Sequence, residues 1–152
     1  MGENLLKDRI LEQKEIEELI PHRGKWLLLD KVVEIQEKSI VAIKIYTTEE
    51  CEGHFPDDLV VPGHLICESL AQAGLVLVSY HQRALGREKL PALRHIKDAK
   101  FFSPVRPGER VTLEVELVNS KEAACLLKGI ASVSLRRVVR WEGIGVYRDK
   151  PK

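Results

Sequence analysis

The stretch Gly53–Gln72, GHFPDDLVVPGHLICESLAQ, changes character halfway along. Its first half is a turn-forming loop that holds two glycines and two prolines, Gly53, Pro56, Pro62 and Gly63. Its second half opens an aliphatic run that continues through Leu70, Ala71, Ala73, Leu75, Val76, Leu77 and Val78 toward Leu85. Almost no polar face is left between His64 and Leu85. A helix that is apolar on most sides belongs at the centre of a fold rather than on its surface. The run is too short and too interrupted to cross a bilayer, so the pattern predicts a buried central helix.

The flanks read as strands. WLLLDKVVEI (26–35) and SIVAIKIYTT (39–48) precede the loop, and the second is β-branched with partial alternation. After the helix come LRHIKDAKFFSP (93–104), RVTLEVELVNS (110–120), ACLLKGIASVSL (124–135) and RRVVRWEGIGVY (136–147), with RPGE (106–109) and NSKEA (119–123) as turns. Leu5, Leu6, Ile10, Ile16, Leu19 and Ile20 lie among charges at helical spacing, so residues 1–20 are expected to hold an N-terminal helix that Pro21 stops. The class is α+β, one helix among about six antiparallel strands, a sheet whose apolar face can wrap that helix. With no repeat, low-complexity segment or linker, residues 1–152 are expected to form one domain.

Composition excludes several function classes. The 152 residues are 44% hydrophobic and 31% charged, the balance of a globular chain. A net charge of +1 argues against nucleic acid as the main partner. Cys51, Cys67 and Cys125 are odd in number and scattered, which fits neither a disulfide framework nor a zinc site. Reduced thiols and a charged N-terminus unlike a secretory signal point to a cytoplasmic protein with no metal and no cofactor.

Pro62-Gly63 stands immediately before the central helix. Glycine lets the main chain approach a ligand closely, and a helix N-terminus offers free N–H groups with a positive dipole end. Such a place suits a carbonyl oxygen gaining negative charge; the plain alternative is a helix start after a turn. Glu68 lies one turn further in, and His64, Glu68 and Gln72 share one stripe at i, i+4, i+8. A carboxylate among aliphatics is expected to have a raised pKa and to carry a proton near neutrality, as a general acid must. The alternatives for Glu68 are a bond to buried main chain or a place at the surface. His54, in the loop, is the candidate proton acceptor. His22, His81 and His95, and His64 taken alone, read as structural or solvated.

A His–Glu pair without an activated Ser or Cys suits removal of a proton coupled to loss of a leaving group. Elimination of water β to a carbonyl needs a base for the α-proton, a hole for the enolate-like oxygen, and an acid for the departing hydroxyl. No metal-ligand cluster or phosphate-binding loop in the sequence competes with this chemistry.

GHFP, PG and ESLAQ together resemble the active-site segment of the hotdog-fold 3-hydroxyacyl-[acyl-carrier-protein] dehydratases of FabZ type, with pattern HFPGxPxxPG followed by ExxAQ. LIPHRGKWLLLDKV (19–32) and IKDAKFFSPVRPGE (96–109) resemble two further blocks of that family, in the same order. The resemblance implies a hotdog fold, a long helix wrapped by a curved antiparallel sheet. It implies a homodimer, which often assembles further as a trimer of dimers, with His54 as general base from one chain and Glu68 as general acid from the neighbouring one. The Gly63 amide would bind the thioester carbonyl, and Phe55, His64 and Gln72 would line the substrate site. The implied reaction converts a (3R)-3-hydroxyacyl thioester, carried on acyl carrier protein, to the trans-2-enoyl thioester in fatty acid biosynthesis. Three positions depart from the pattern and bear on substrate preference: Asp57 replaces Gly, Leu59 replaces Pro, and His64 replaces a small or aliphatic residue.

Two other readings stand beside this one, a hotdog acyl thioesterase in which Glu68 activates water and a non-catalytic acyl-thioester binding protein. His54 at its motif position argues against the first. The lack of room for a DNA-binding module argues against a regulatory version of the second. Because acyl carrier protein is acidic, a local basic docking patch is expected, drawn from Arg94, Lys97, Lys100, Arg136, Arg137 and Arg140; taken singly, each reads as a solvated strand charge.

Overall fold

In chain order the elements are helix α1 (Gln13–Leu19), strands β1 (Lys31–Ile35) and β2 (Ser39–Ile45), helix α2 (Gly63–Ala84), and strands β3 (Lys89–Phe101), β4 (Arg110–Ser120), β5 (Ala124–Val133) and β6 (Arg136–Asp149). They are seen in a computed structural model that describes residues 9–87 and 89–149. The six strands form one antiparallel sheet in the order β1-β2-β4-β5-β6-β3. Register shifts interrupt four of the five strand pairings. Each such irregularity bends its strand and adds twist, which curls the sheet around α2.

α2 packs against β2, β3, β4, β5 and β6. Leu70, Val76 and Leu77 are fully buried, and each such side chain contributes roughly 1.5–3 kcal/mol by leaving water. The sheet's inner face supplies the other half of the core through Val111, Leu113 and Val115 of β4 and Cys125, Leu127 and Ala131 of β5. These positions alternate with more exposed ones, the period-2 pattern of a strand with one covered face. One inner row runs Ile40, Val115, Gly129, Trp141. At its centre a Cβ on Gly129 would lie 3.1 Å from Leu70 Cδ2, so the sheet touches the helix there through bare main chain.

Two expectations need correction. The N-terminal helix is confined to Gln13–Leu19 within the described residues, and residues 1–8 lie outside them. Leu11 instead bridges to Val32 through two main-chain hydrogen bonds of 3.0 and 2.9 Å, covering the edge of β1. The strand expected over 26–35 begins only at Lys31, after a single 3₁₀ turn at Gly24–Trp26. The main chain of that segment is taken up elsewhere: Gln72 Nε2 donates to the Trp26 carbonyl (2.7 Å), Leu28 N–H donates to Gln72 Oε1 (2.9 Å), and Ser69 Oγ donates to the Leu28 carbonyl (2.8 Å).

β3 closes the other edge of the sheet. Most of its 13 residues are exposed, and among the described residues its outer side has no strand partner. No helix among the described residues is long and apolar enough to cross a membrane.

Candidate active site

His54 closes a turn that begins at Cys51, and within it Gly53 has a φ of +86°, where glycine is the natural residue. Its own N–H donates to Cys51 O (2.9 Å), and its carbonyl accepts from Val60 N–H (2.8 Å). The imidazole Nδ1 lies 3.0 Å from the Val60 carbonyl. A carbonyl can only accept, so Nδ1 carries the hydrogen and Nε2 is left with a free lone pair. Phe55 stacks on the His54 ring at 4.4 Å and is itself exposed.

The loop carrying His54 is fastened at its far end. Val61 N–H donates to Val105 O (2.8 Å). The Arg106 guanidinium donates to the Asp58 carboxylate and to the Leu59 carbonyl. The charge at Asp58 is thereby met by Arg106, the first residue of the RPGE turn.

His54, Val60, Gly63, His64, Phe101 and Phe102 are among the residues lining one cleft of about 430 Å³. Gly63 is the first residue of α2, after Pro62, and neither a capping side chain nor an acidic residue of the first turn answers the helix N-terminus. Phe101 closes over it, and a methyl on Gly63 would lie 2.8 Å from Phe101 Cδ1. Without a Cβ, Gly63 leaves the main chain open beside the Phe101 ring.

Glu68 is placed differently. It does not line the His54 cleft within one chain. Its Oε1 accepts from Gln72 Nε2 at 2.9 Å and lies 3.4 Å from His22 Nε2. Gln72 is fully buried, its amide shared between Trp26, Leu28 and Glu68. The expectation of a raised Glu68 pKa is corrected by these contacts. Burial pushes it up, but the N–H groups of His22 and Gln72 favour the charged form and hold the carboxyl below its usual value.

His22 reads from the sequence alone as structural or solvated, and the fold places it against Glu68. Its signal lies in the PHR of the LIPHRGKWLLLDKV block, 46 positions before Glu68. The arginine next to it holds the segment, since Arg23 donates to the carbonyls of Ile20 (2.8 Å), His22 (2.7 Å) and Glu17 (2.6 Å).

Five of the six basic candidates divide into two groups. Arg136 is engaged with the Pro104 carbonyl, Ser103 Oγ and Glu109; Arg140 pairs with Asp98, and Lys97 with Glu142. Lys100 and Arg137 instead lie over the ring of Phe102, at 5.4 and 5.6 Å, beside the cleft. Arg94 lies on the edge strand β3.

Comparison with known proteins adds an independent line. A FabA-like domain matches residues 20–142. The 3-hydroxyacyl-[acyl-carrier-protein] dehydratase FabZ of Anaeromyxobacter dehalogenans (strain 2CP-C) is 37% identical, over the whole of both chains. The protein of the same name from Myxococcus xanthus (strain DK1622) is 41% identical over 90% of this chain and 91% of its own. Among solved structures, the dehydratase heterocomplex ApeI:P from Xenorhabdus doucetiae superposes with a TM-score of 0.75 at 17% identity, covering 89% of this chain and 91% of that one. That likeness is one of fold, a hotdog helix-and-sheet arrangement.

Proposed function

The chain belongs to the FabA-like family, among the FabZ-type dehydratases, and from that premise we propose that it is a hydro-lyase that removes water from a (3R)-3-hydroxyacyl thioester held on acyl carrier protein. The observation that carries the reading is the common cleft of His54 and Gly63: an imidazole with Nε2 free faces the same space as an unanswered helix N-terminus.

In this mechanism His54 Nε2 takes the proton from C2 of the acyl chain. The Gly63 N–H and the dipole of α2 receive the charge that builds on the thioester oxygen. The C2–C3 double bond forms as the C3–O bond breaks, and Glu68 gives its proton to the departing hydroxyl, which leaves as water. The proton on His54 and the vacancy on Glu68 are then reset through solvent.

Glu68 reaches this cleft from a second copy of the chain. Its separation from the His54 cleft within one chain supports that arrangement, and the exposed edge strand β3 is a suitable surface for the second copy. Lys100 and Arg137, beside the cleft, are suited to receive an acidic carrier.

The test is incubation with a 3-hydroxyacyl thioester, followed by the absorbance of the conjugated enoyl product and by release of free thiol. Dehydration gives the first without the second. Thiol release without enoyl product makes the protein a thioesterase instead.

A further inference from the structure

Glu68 Oε1 has two N–H neighbours from different parts of the fold. Gln72 Nε2, from the next turn of α2, donates to it at 2.9 Å. His22 Nε2, from the segment between α1 and β1, stands 3.4 Å from the same atom. No neighbour of comparable kind engages Oε2 among the described residues. Both N–H neighbours are themselves fixed. Gln72 is tied to Trp26 and Leu28, and the segment bearing His22 is clasped by three carbonyl bonds to Arg23.

The other nitrogen of His22 decides the tautomer. Nδ1 is buried without a hydrogen-bond partner. A doubly protonated ring would bury an N–H with no acceptor, which is a costly arrangement, whereas a bare ring nitrogen is a weaker loss. The neutral ring with its hydrogen on Nε2 satisfies both Glu68 and the burial of Nδ1.

We propose that His22 is a positioning residue for Glu68: with Gln72 it occupies Oε1, so that the proton Glu68 delivers is carried on Oε2. The inference rests on the reading of Glu68 as the acid of the dehydration. It explains why the histidine in the PHR segment is placed where it reaches neither the cleft of His54 nor solvent on both sides of its ring. Among the described residues, His22 is the titratable group of another element that acts on the Glu68 carboxyl; on α2 itself the acting group is the uncharged amide of Gln72.

The test compares the full-length wild type with His22→Leu and His22→Gln in the thioester dehydration assay across pH. Loss of the His22 N–H removes a group that favours the charged carboxyl, so Glu68 should hold its proton to higher pH. The alkaline limb of kcat/KM should therefore move upward in His22→Leu, while its maximum falls up to about 10²-fold through loss of alignment. His22→Gln, which keeps an N–H donor, should recover part of both. A His22→Leu profile with unmoved limbs overturns the proposal. Glu68→Gln run in parallel separates the two failures: if it stays active, the reading of Glu68 itself is wrong; if it is dead and His22→Leu keeps a wild-type profile, only the positioning role fails. Should His22→Leu not fold, long-range ¹H–¹⁵N spectra of the wild type provide a second measurement. A hydrogen on Nε2 of His22 is expected, and a ring with its hydrogen on Nδ1 alone overturns the proposal.

Discussion

The imidazole of His54 is held by a hydrogen bond from Nδ1 to the main-chain carbonyl of Val60 at 3.0 Å. That bond fixes both the tautomer and the direction of the ring, and leaves Nε2 as the basic nitrogen. His54→Ala should lower kcat for dehydration about 10²–10⁴-fold, the usual contribution of a positioned base. Its melting temperature should stay near that of the wild type, because the ring lies at a cleft and not in the core. Steady-state kinetics and a thermal melt check the pair of outcomes; near-full activity would remove His54 from the mechanism.

Gly63 tests the oxyanion site. Alanine there brings a methyl against Phe101, and overpacking of this kind costs about 1–3 kcal/mol where neighbours cannot yield. Phe101 is exposed and can swing away, so the stability loss should be small and the loss in kcat large. Gly63→Ala combined with Phe101→Ala should regain activity if crowding is the cause. Single and double variants assayed side by side decide it.

Leu70 tests the central helix. Its side chain is fully buried between α2 and the bare main chain at Gly129. Leu70→Ala should destabilise by about 2–5 kcal/mol, measured by denaturant unfolding. Leu70→Asp buries an unpaired charge and should prevent folding.

Glu68 gives the fold a defined pH dependence. Its carboxyl lies below the ordinary value in the folded chain because His22 and Gln72 outweigh the effect of burial. A depressed folded-state pKa contributes stability that is present above the unfolded pKa and is lost as pH falls through the folded one. The wild type should therefore exceed Glu68→Gln in melting temperature by most near neutral pH, and the gap should close as the solution is acidified below the normal carboxylate range. A gap that widens on acidification contradicts the assigned direction.

Charge reversal separates the two groups of basic residues. Lys100→Glu with Arg137→Glu should raise KM for a carrier-bound substrate and leave a small N-acetylcysteamine thioester nearly unaffected. The effect should weaken with salt, since screening acts over about 8 Å at physiological ionic strength. Arg136→Glu should in addition lower stability, because that side chain holds the Pro104 carbonyl and Glu109.

The central helix was legible because its sequence is apolar all round, which only a buried helix explains. The strands after it were legible from alternation, to within a few residues. The region before β1 was not. Leu11 continues a helical pattern yet pairs with Val32, and the main chain at Trp26 and Leu28 bonds to Gln72 and Ser69 instead of extending a strand. Such choices depend on partners more than 20 or 40 positions away, which local propensity does not carry. The same distance explains Glu68. Its aliphatic neighbours suggest a raised pKa, whereas the donor His22 lies in another segment and lowers it. His54 and Gly63 were legible as motif residues, and the bond to Val60 that orients His54 is visible only in the folded loop.

In the proposed mechanism His54 and Glu68 work together across two copies of the chain, and one mixing experiment tests that most directly. His54→Ala and Glu68→Gln proteins, each inactive alone, are exchanged into hybrid dimers and assayed for enoyl thioester formation. Random exchange makes about half of the dimers hybrid, each with one intact site of two, so activity should return to about a quarter of the wild-type level. No recovery, with hybrid dimers verified by native mass spectrometry, would contradict a shared site.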